Sequence, residues 1–415
     1  MDEQELEVGL SMLLEQMEDE AADGHELLLR LTLILNQMRG LNMPVPGDLL
    51  ALEQKLAAEY TVPAEATVAT SPSGADASPE PASPLRTAVC DLLGCEYPIL
   101  LAGMGGVARS ELAAAVSQAG GYGCLGMVRE PPETIAREIA AVREATDRPF
   151  GVNLVPYGTD PALLDAELAA CFAAKVHSLC FFWEVRPDLV RRAHDAGCLV
   201  AYQVGTLAAG RAAEEAGADL VICQGFEAGG HVQGTVTSLV LLPQMARSLS
   251  IPVIGSGGFA SGAGLVAALS LGAQGIHCGT AFLATDESFA HDFHKQRIID
   301  AASTDTVHSD VFAINWPPRS PVRTLHNSVT AAFRGDLLGH DADEFDRVAI
   351  AQEDGRPVYR YSTESPLRNM TGDLEPLAPY AGQVCGMVES VRPAAAVVAE
   401  MVTEAEAVLA DLARR

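Results

Sequence analysis

Cationic residues are scarce in this sequence: 27 Lys and Arg stand against 55 Asp and Glu, a formal charge of -28 over 415 residues. That shortage argues against an electrostatic grip on nucleic acid or on an anionic membrane, because either needs a basic footprint. Long apolar runs are missing too, and none approaches the ~20 residues of a membrane span. The opening Met1-Asp2-Glu3-Gln4-Glu5 is acidic where a secretory leader is basic and then apolar, so the chain is expected to stay in the cytoplasm. Its nine cysteines include no CxxC pair and no Cys/His spacing suited to zinc. They fall mostly inside apolar runs, which reads as buried and reduced, with no metal expected.

What is present is a large apolar fraction, 48% of the residues, enough to bury one big α/β core and an additional module. Residues 1–61 carry helically spaced apolar positions (Leu6, Leu10, Leu13, Leu14, Met17; then Leu27 to Leu35; then Leu49, Leu52, Leu56), which predicts a small helical module. Residues 62–84 are rich in Pro, Ala, Ser and Thr and hold too few large apolar side chains to offset ordering entropy, so a flexible tether is expected. The module is either a docking or self-association element for a protein partner or a hairpin that packs on the main domain.

Beyond residue 85 short apolar runs alternate with helical stretches, the pattern of βαβ units. Eight runs occur: Pro98-Leu101, Tyr122-Met127, Phe150-Leu154, Ser178-Trp183, Leu199-Val204, Asp219-Cys223, Pro252-Ser256 and Gly275-Gly279. Eight parallel strands with crossovers close a (β/α)8 TIM barrel, expected over residues 85–285. An open doubly wound sheet would place one phosphate fingerprint after its first strand. Here Gly-rich turns recur after the first, sixth, seventh and eighth runs, and a barrel brings those turns to one mouth. Residues 286–378 lose the alternation and mix aromatic and basic residues, including Trp316, Arg323 and Tyr361, as a C-terminal capping or substrate domain would. Residues 379–415 end in an Ala-rich helix from about Arg392 that is expected to return to the barrel.

Gly257-Gly258 closes the seventh run and Gly279-Thr280 the eighth, where this fold commonly binds phosphate with backbone N–H groups. Such glycines otherwise only make tight turns. Two matched turns, with the Ser256 and Thr280 hydroxyls alongside, favour phosphate. The first run ends Ala102-Gly103-Met104, small residues against which a flat ring can lie. Asn153 and Gln203 end the third and fifth runs, and their uncharged amides suit the carbonyl and imide edge of an isoalloxazine. His231 follows Glu227-Ala228-Gly229-Gly230 directly after a buried run, which stands the imidazole beside a ligand. It titrates near neutrality and can take a carbon-bound proton or hydrogen-bond an anion. The other histidines considered, among them the metal-like His291/His294 pair with no third ligand, read as surface or satisfied core residues.

Residues 97 to about 330, and more loosely to 411, resemble the nitronate monooxygenases and the related FMN-dependent enoyl-ACP reductases. The resemblance rests on Pro98 to Met104, Gly151-Val152-Asn153-Leu154, Gly225-Phe226-Glu227-Ala228-Gly229-Gly230-His231, Gly255-Ser256-Gly257-Gly258-Phe259 and Leu271 through Leu283. It implies an FMN held by Ala102, Gly103, Met104, Asn153, Gln203, Gln224, Gly229, Gly230, Ser256, Gly257, Gly258, Gly279 and Thr280, with His231 catalytic. The implied reaction is oxidation of an alkyl nitronate, a small molecule, with O2 to a carbonyl compound and nitrite. The alternatives are an NAD(P)H-dependent enoyl-thioester reductase and a specialised biosynthetic flavin oxidation. Two departures stand out: relatives commonly carry lysine where Gln203 stands, and residues 1–84 lie outside the family pattern.

Overall fold

Backbone groups buried on both faces of a sheet must pair with one another, and the eight apolar runs do so as short parallel strands in the computed structural model, which describes residues 83–415 together with the single helical positions Leu49 and Lys55. The expected module and tether lie almost wholly outside the described residues. The chain divides into two compact units, Met1–Glu80 and Pro81–Arg415, and the second holds everything below.

The sheet comprises β1 (Ile99–Leu101), β2 (Gly123–Gly126), β3 (Phe150–Leu154), β4 (Ser178–Phe182), β5 (Leu199–Val204) and β6 (Leu220–Gln224). After the two-residue β7 (Gly230–His231), which lies outside it, follow β8 (Val253–Ser256) and β9 (Ile276–Cys278). The order is β1-β9-β8-β6-β5-β4-β3-β2, and a parallel Leu100–Tyr122 bridge joins the two ends into a barrel. All eight expected runs are strands. Side chains alternate between two cores. Leu101, Val152, Phe181, Val221 and Cys223 face the outer helices. Leu100, Tyr122, Cys124, Cys180, Ile222 and Ile254 fill the interior, plugged from below by Val89, Cys90 and Leu93 of α1 (Ala88–Leu93). All nine cysteines are free and buried.

Around the barrel run α2 (Ser110–Gln118), α3 (Pro132–Ala145), α4 (Pro161–Ala173), α5 (Pro187–Asp195), α6 (Leu207–Glu215), α7 (Ser238–Ser248) and α8 (Gly262–Ser270), followed after β9 by the single turn α9 (Thr280–Leu283). The chain then departs. It builds α10 (Asp292–Ile299), β10 (Thr306–Ser309), β11 (Val322–Leu325), α11 (Ser328–Ala332), β12 (Ala349–Glu353), β13 (Arg356–Tyr359) and β14 (Met370–Gly372). One antiparallel sheet of this part, β10-β11-β7, takes in His231; the other is β13-β12-β14. The excursion starts and ends at one place, because Thr285 bridges Arg392.

The last helix, α12 (Ala394–Arg414), packs against α8 and α2, the position that an eighth barrel helix occupies. Val397, Val398, Met401 and Ala405 sink into the outer core, each such aliphatic burial contributing about 1.5–3 kcal/mol for the larger side chains. The contact is close because Gly262 has no side chain: a Cβ there would stand 2.2 Å from the Met401 carbonyl oxygen. The Glu404 carboxylate accepts the Gly262 N–H at 2.7 Å, occupying one of the open donors at the start of α8.

Candidate active site

The C-terminal mouth of the barrel opens into a cavity of about 520 Å³ between the strand ends and the capping excursion. His231 and all thirteen residues singled out with it (Ala102, Gly103, Met104, Asn153, Gln203, Gln224, Gly229, Gly230, Ser256, Gly257, Gly258, Gly279 and Thr280) line this cavity. Arg129, Phe182, His277, Trp316 and Tyr380 line it as well.

His231 is fixed through its backbone. β7 pairs with β11, with His231 opposite Val322. The Gln224 side chain holds the same segment, donating from Nε2 to the His231 carbonyl at 2.8 Å and accepting the Gln233 N–H at 3.3 Å. Gln233 accepts the Gly205 N–H at 3.0 Å and donates to the Trp183 carbonyl at 2.9 Å. Gln224 thus positions the histidine as well as bordering the cavity. The imidazole stacks on Trp316, with Trp183 edge-on and Tyr380 tilted, both 6.1 Å away. Nε2 is buried and has no hydrogen-bond partner. Desolvation, helped by the positive charge of Arg129, pushes the imidazole down to about 3, so it is neutral and keeps a lone pair for a ligand.

The rest of the Gly225-to-His231 segment also holds the turn in place. The Glu227 carboxylate accepts the Ser238 N–H at 3.1 Å and the Ser238 hydroxyl, joining the turn to the start of α7. Gly229 is required by close approach, since a Cβ would lie 2.4 Å from the backbone nitrogen of Gly382. That same Gly382 N–H donates to Thr280 Oγ1 at 2.9 Å, so residues 381–382 strap the motif to the eighth strand end.

The donor set fits a flavin. The backbone N–H groups of Gly257 and Gly258 make no hydrogen bond within the described residues, as an anion-binding turn requires. Asn153, a cavity-lining residue, donates to the Cys180 carbonyl at 3.0 Å, and neither its Oδ1 nor the Gln203 side chain makes a hydrogen bond among the described residues. Below them His277, on β9, shares a 3.0 Å Nδ1···Oγ hydrogen bond with Ser256 and is pushed down to about 4 by burial. His291 caps α10 by accepting the Phe293 N–H at 3.0 Å, while His294 contacts Ser365 Oγ at 3.2 Å and the Tyr380 carbonyl at 3.0 Å, so both belong to the scaffold.

Sequence reasoning missed Arg129, His277, Trp316 and Tyr380 as site residues. His277 had a usable signal, because it alternates with the outward Ile276 and Cys278 of β9 and so faces the interior. Arg129 closely follows β2, and residues after barrel strands face the mouth. Trp316 and Tyr380 arrive from the excursion, where no local pattern marks them.

A parallel eight-stranded barrel with a half-buried histidine and free backbone donors at its C-terminal mouth has the make-up of a flavin-dependent oxidoreductase. A profile of the nitronate monooxygenase family matches residues 86–165 and 164–404. The chain belongs to that family. A putative monooxygenase of Mycobacterium tuberculosis, Rv1533, is 32% identical over 385 residues, covering 77% of this chain and 96% of the relative. Among solved structures, nitroalkane oxidase of Streptomyces ansochromogenes has 29% identity and a TM-score of 0.66, covering 78% of this chain and 100% of its own. FabK of Thermotoga maritima has 30% identity and a TM-score of 0.64, covering 79% of this chain and 98% of its own.

Proposed function

We propose that this chain is an FMN-dependent nitronate monooxygenase that converts a small alkyl nitronate and O2 into a carbonyl compound and nitrite. The observation that carries this reading is His231, neutral and with Nε2 unpartnered among the described residues, in the lining of a cavity that also offers free backbone donors and uncharged amides. The N–H groups of Gly257 and Gly258, near Gly279 and Thr280, would take one terminal phosphate, and Ala102, Gly103 and Met104 would back the ring. Asn153 and Gln203 would hydrogen-bond its polar edge. When bound, FMN supplies the electron acceptance that the reaction needs. His231 Nε2 accepts the carbon-bound proton of a neutral nitroalkane, or hydrogen-bonds the oxygen of a nitronate already formed. Stacking on Trp316 and the backbone hold of Gln224 fix the ring at the cavity wall. Phe182 and Tyr380 exclude water from the same wall.

Among the described residues no helix is long and apolar enough to cross a membrane. Residues 1–61 are assigned to docking or self-association, on their amphipathic pattern and the Pro/Ala/Ser/Thr composition that follows.

Two measurements on the purified protein test the reading. Heat-released cofactor should run as FMN on chromatography, and O2 uptake should follow addition of propyl nitronate. Rapid reduction of the flavin by NADPH together with no response to the nitronate would instead favour an enoyl-thioester reductase.

A further inference from the structure

A cation removed from water is costly unless an anion or several dipoles replace the water. Arg129 sits in that situation at the cavity wall. Its guanidinium donates to two carbonyls, those of Asn315 and, at 2.9 Å, Gly158. It lies 4.4 Å from the Trp316 ring, the ring that also covers His231. Among the described residues its buried Nε has no partner and no carboxylate forms an ion pair with it. The carboxylates that act on it do so from further off: Glu364 is engaged by Asn315 Nδ2 at 3.0 Å, and Glu167 is itself raised to about 7 by burial. In a chain of net charge -28 an unpaired arginine beside the reacting histidine is out of keeping with its surroundings. Its backbone is also in the left-handed region, φ 57°, as is that of Asn315, φ 72°, so two non-glycine residues carry strain to hold this one geometry.

We infer that Arg129 is an anion subsite that receives the negatively charged oxygens of the substrate next to His231. This rests on the nitronate reading for the identity of the anion, although the subsite itself suits any small planar oxyanion, nitrite included. A guanidinium presents paired donors to two oxygens on one atom, the arrangement that a nitronate offers. The cation holds the nitro oxygens while Nε2 of His231 faces the carbon or the remaining lone pair. Its charge also disfavours imidazolium, so the histidine stays ready to accept.

The experiment uses the full-length, flavin-loaded protein and sodium nitrite as probe, read by perturbation of the flavin absorption bands. Arg129→Gln should weaken nitrite binding by about 10–100-fold, the worth of a hydrogen bond to a charged group. KM for propyl nitronate should rise in parallel, while affinity for neutral nitropropane and the flavin content change little. A residue that only clamps the Asn315 and Gly158 loops would weaken neutral and anionic ligands alike, and that result overturns the subsite. Unchanged nitrite affinity overturns it too. If the glutamine variant does not fold, Arg129→Lys replaces it: a several-fold loss of nitrite affinity, from losing the paired donors, supports the subsite, and wild-type affinity overturns it. A wild-type protein that binds nitrite through Arg129 yet leaves propyl nitronate untouched keeps the subsite and removes the nitronate reading.

Discussion

The indole of Trp316 lies against the imidazole of His231, with ring centroids 3.9 Å apart and planes 26° from parallel. One ring comes from a loop of the excursion and the other from the turn after β6, so the desolvation that depresses His231 to about 3 depends on a side chain more than eighty residues away.

Removing that cover should return the histidine to ordinary titration. Trp316→Ala is expected to raise the His231 pKa toward its usual value of about 6.5. The wild type then has no His231-dependent change in kcat/KM for a neutral nitroalkane between about pH 5 and pH 8, whereas the variant loses activity as the pH falls through about 6.5, where the imidazole charges and can no longer accept the proton. Profiles of identical shape for the two proteins would mean that Trp316 does not set this pKa.

Replacing the histidine separates proton transfer from anion holding. His231→Asn should retain flavin, because the contacts assigned to the cofactor come mostly from backbone groups and other residues. Turnover of a neutral nitroalkane should fall about 10²–10⁴-fold, the usual worth of a positioned general base. Turnover of the nitronate should fall much less. Equal losses on both substrates would assign His231 to orientation instead.

Gln203 is expected to leave the reduced, anionic flavin less stabilised than a lysine would. Gln203→Lys should raise the flavin midpoint potential, measured by equilibrium dye reduction. An unchanged or lower potential would place the residue away from the pyrimidine edge.

The barrel could be read from sequence because the strands are largely buried on both faces and therefore mostly apolar, as in Phe150–Leu154 and Ser178–Phe182, where only Asn153 and Ser178 are polar. The cavity-lining residues of the strand ends could be read for a related reason: a barrel sends every such turn to one mouth, so Asn153, Gln203 and Gly257 need no long-range information to be brought together. Trp316 and Tyr380 could not be. Their places depend on how some hundred residues fold between Thr285 and Arg392, and nothing local to either residue reports that path. Gln224 was placed correctly at the mouth, but its hold on the His231 carbonyl depends on the pairing of β7 with β11, which a two-residue strand does not announce.

Acid should destabilise the fold through its buried histidines. His294, fully buried, and His277 are each pushed down to about 4, mainly by desolvation. In the unfolded chain both titrate near 6.5, so as the pH falls below that value the unfolded state binds protons first and the folded state loses stability until about pH 4, where it too protonates. The loss should be on the order of 1–3 kcal/mol for such a group. Thermal midpoints taken down the series should decline below about pH 6.5, and His294→Gln should flatten the decline. A slope that the substitution leaves untouched would assign acid sensitivity to other groups.

The helix that seals the barrel is synthesised after every other element of the fold described above. A ribosome releases α1 to β9 well before it makes Ala394–Arg414, yet the α8 surface around Gly262 and the flank of α2 have no cover until that helix docks. Throughout translation the nascent barrel therefore carries an open apolar seam between its first and last units, a surface that chaperones or sister chains can reach. A premature stop anywhere after residue 285 would preserve every residue of the cofactor cradle while leaving that seam permanently exposed. Messages truncated late in the gene would then yield insoluble product and not a merely inactive enzyme.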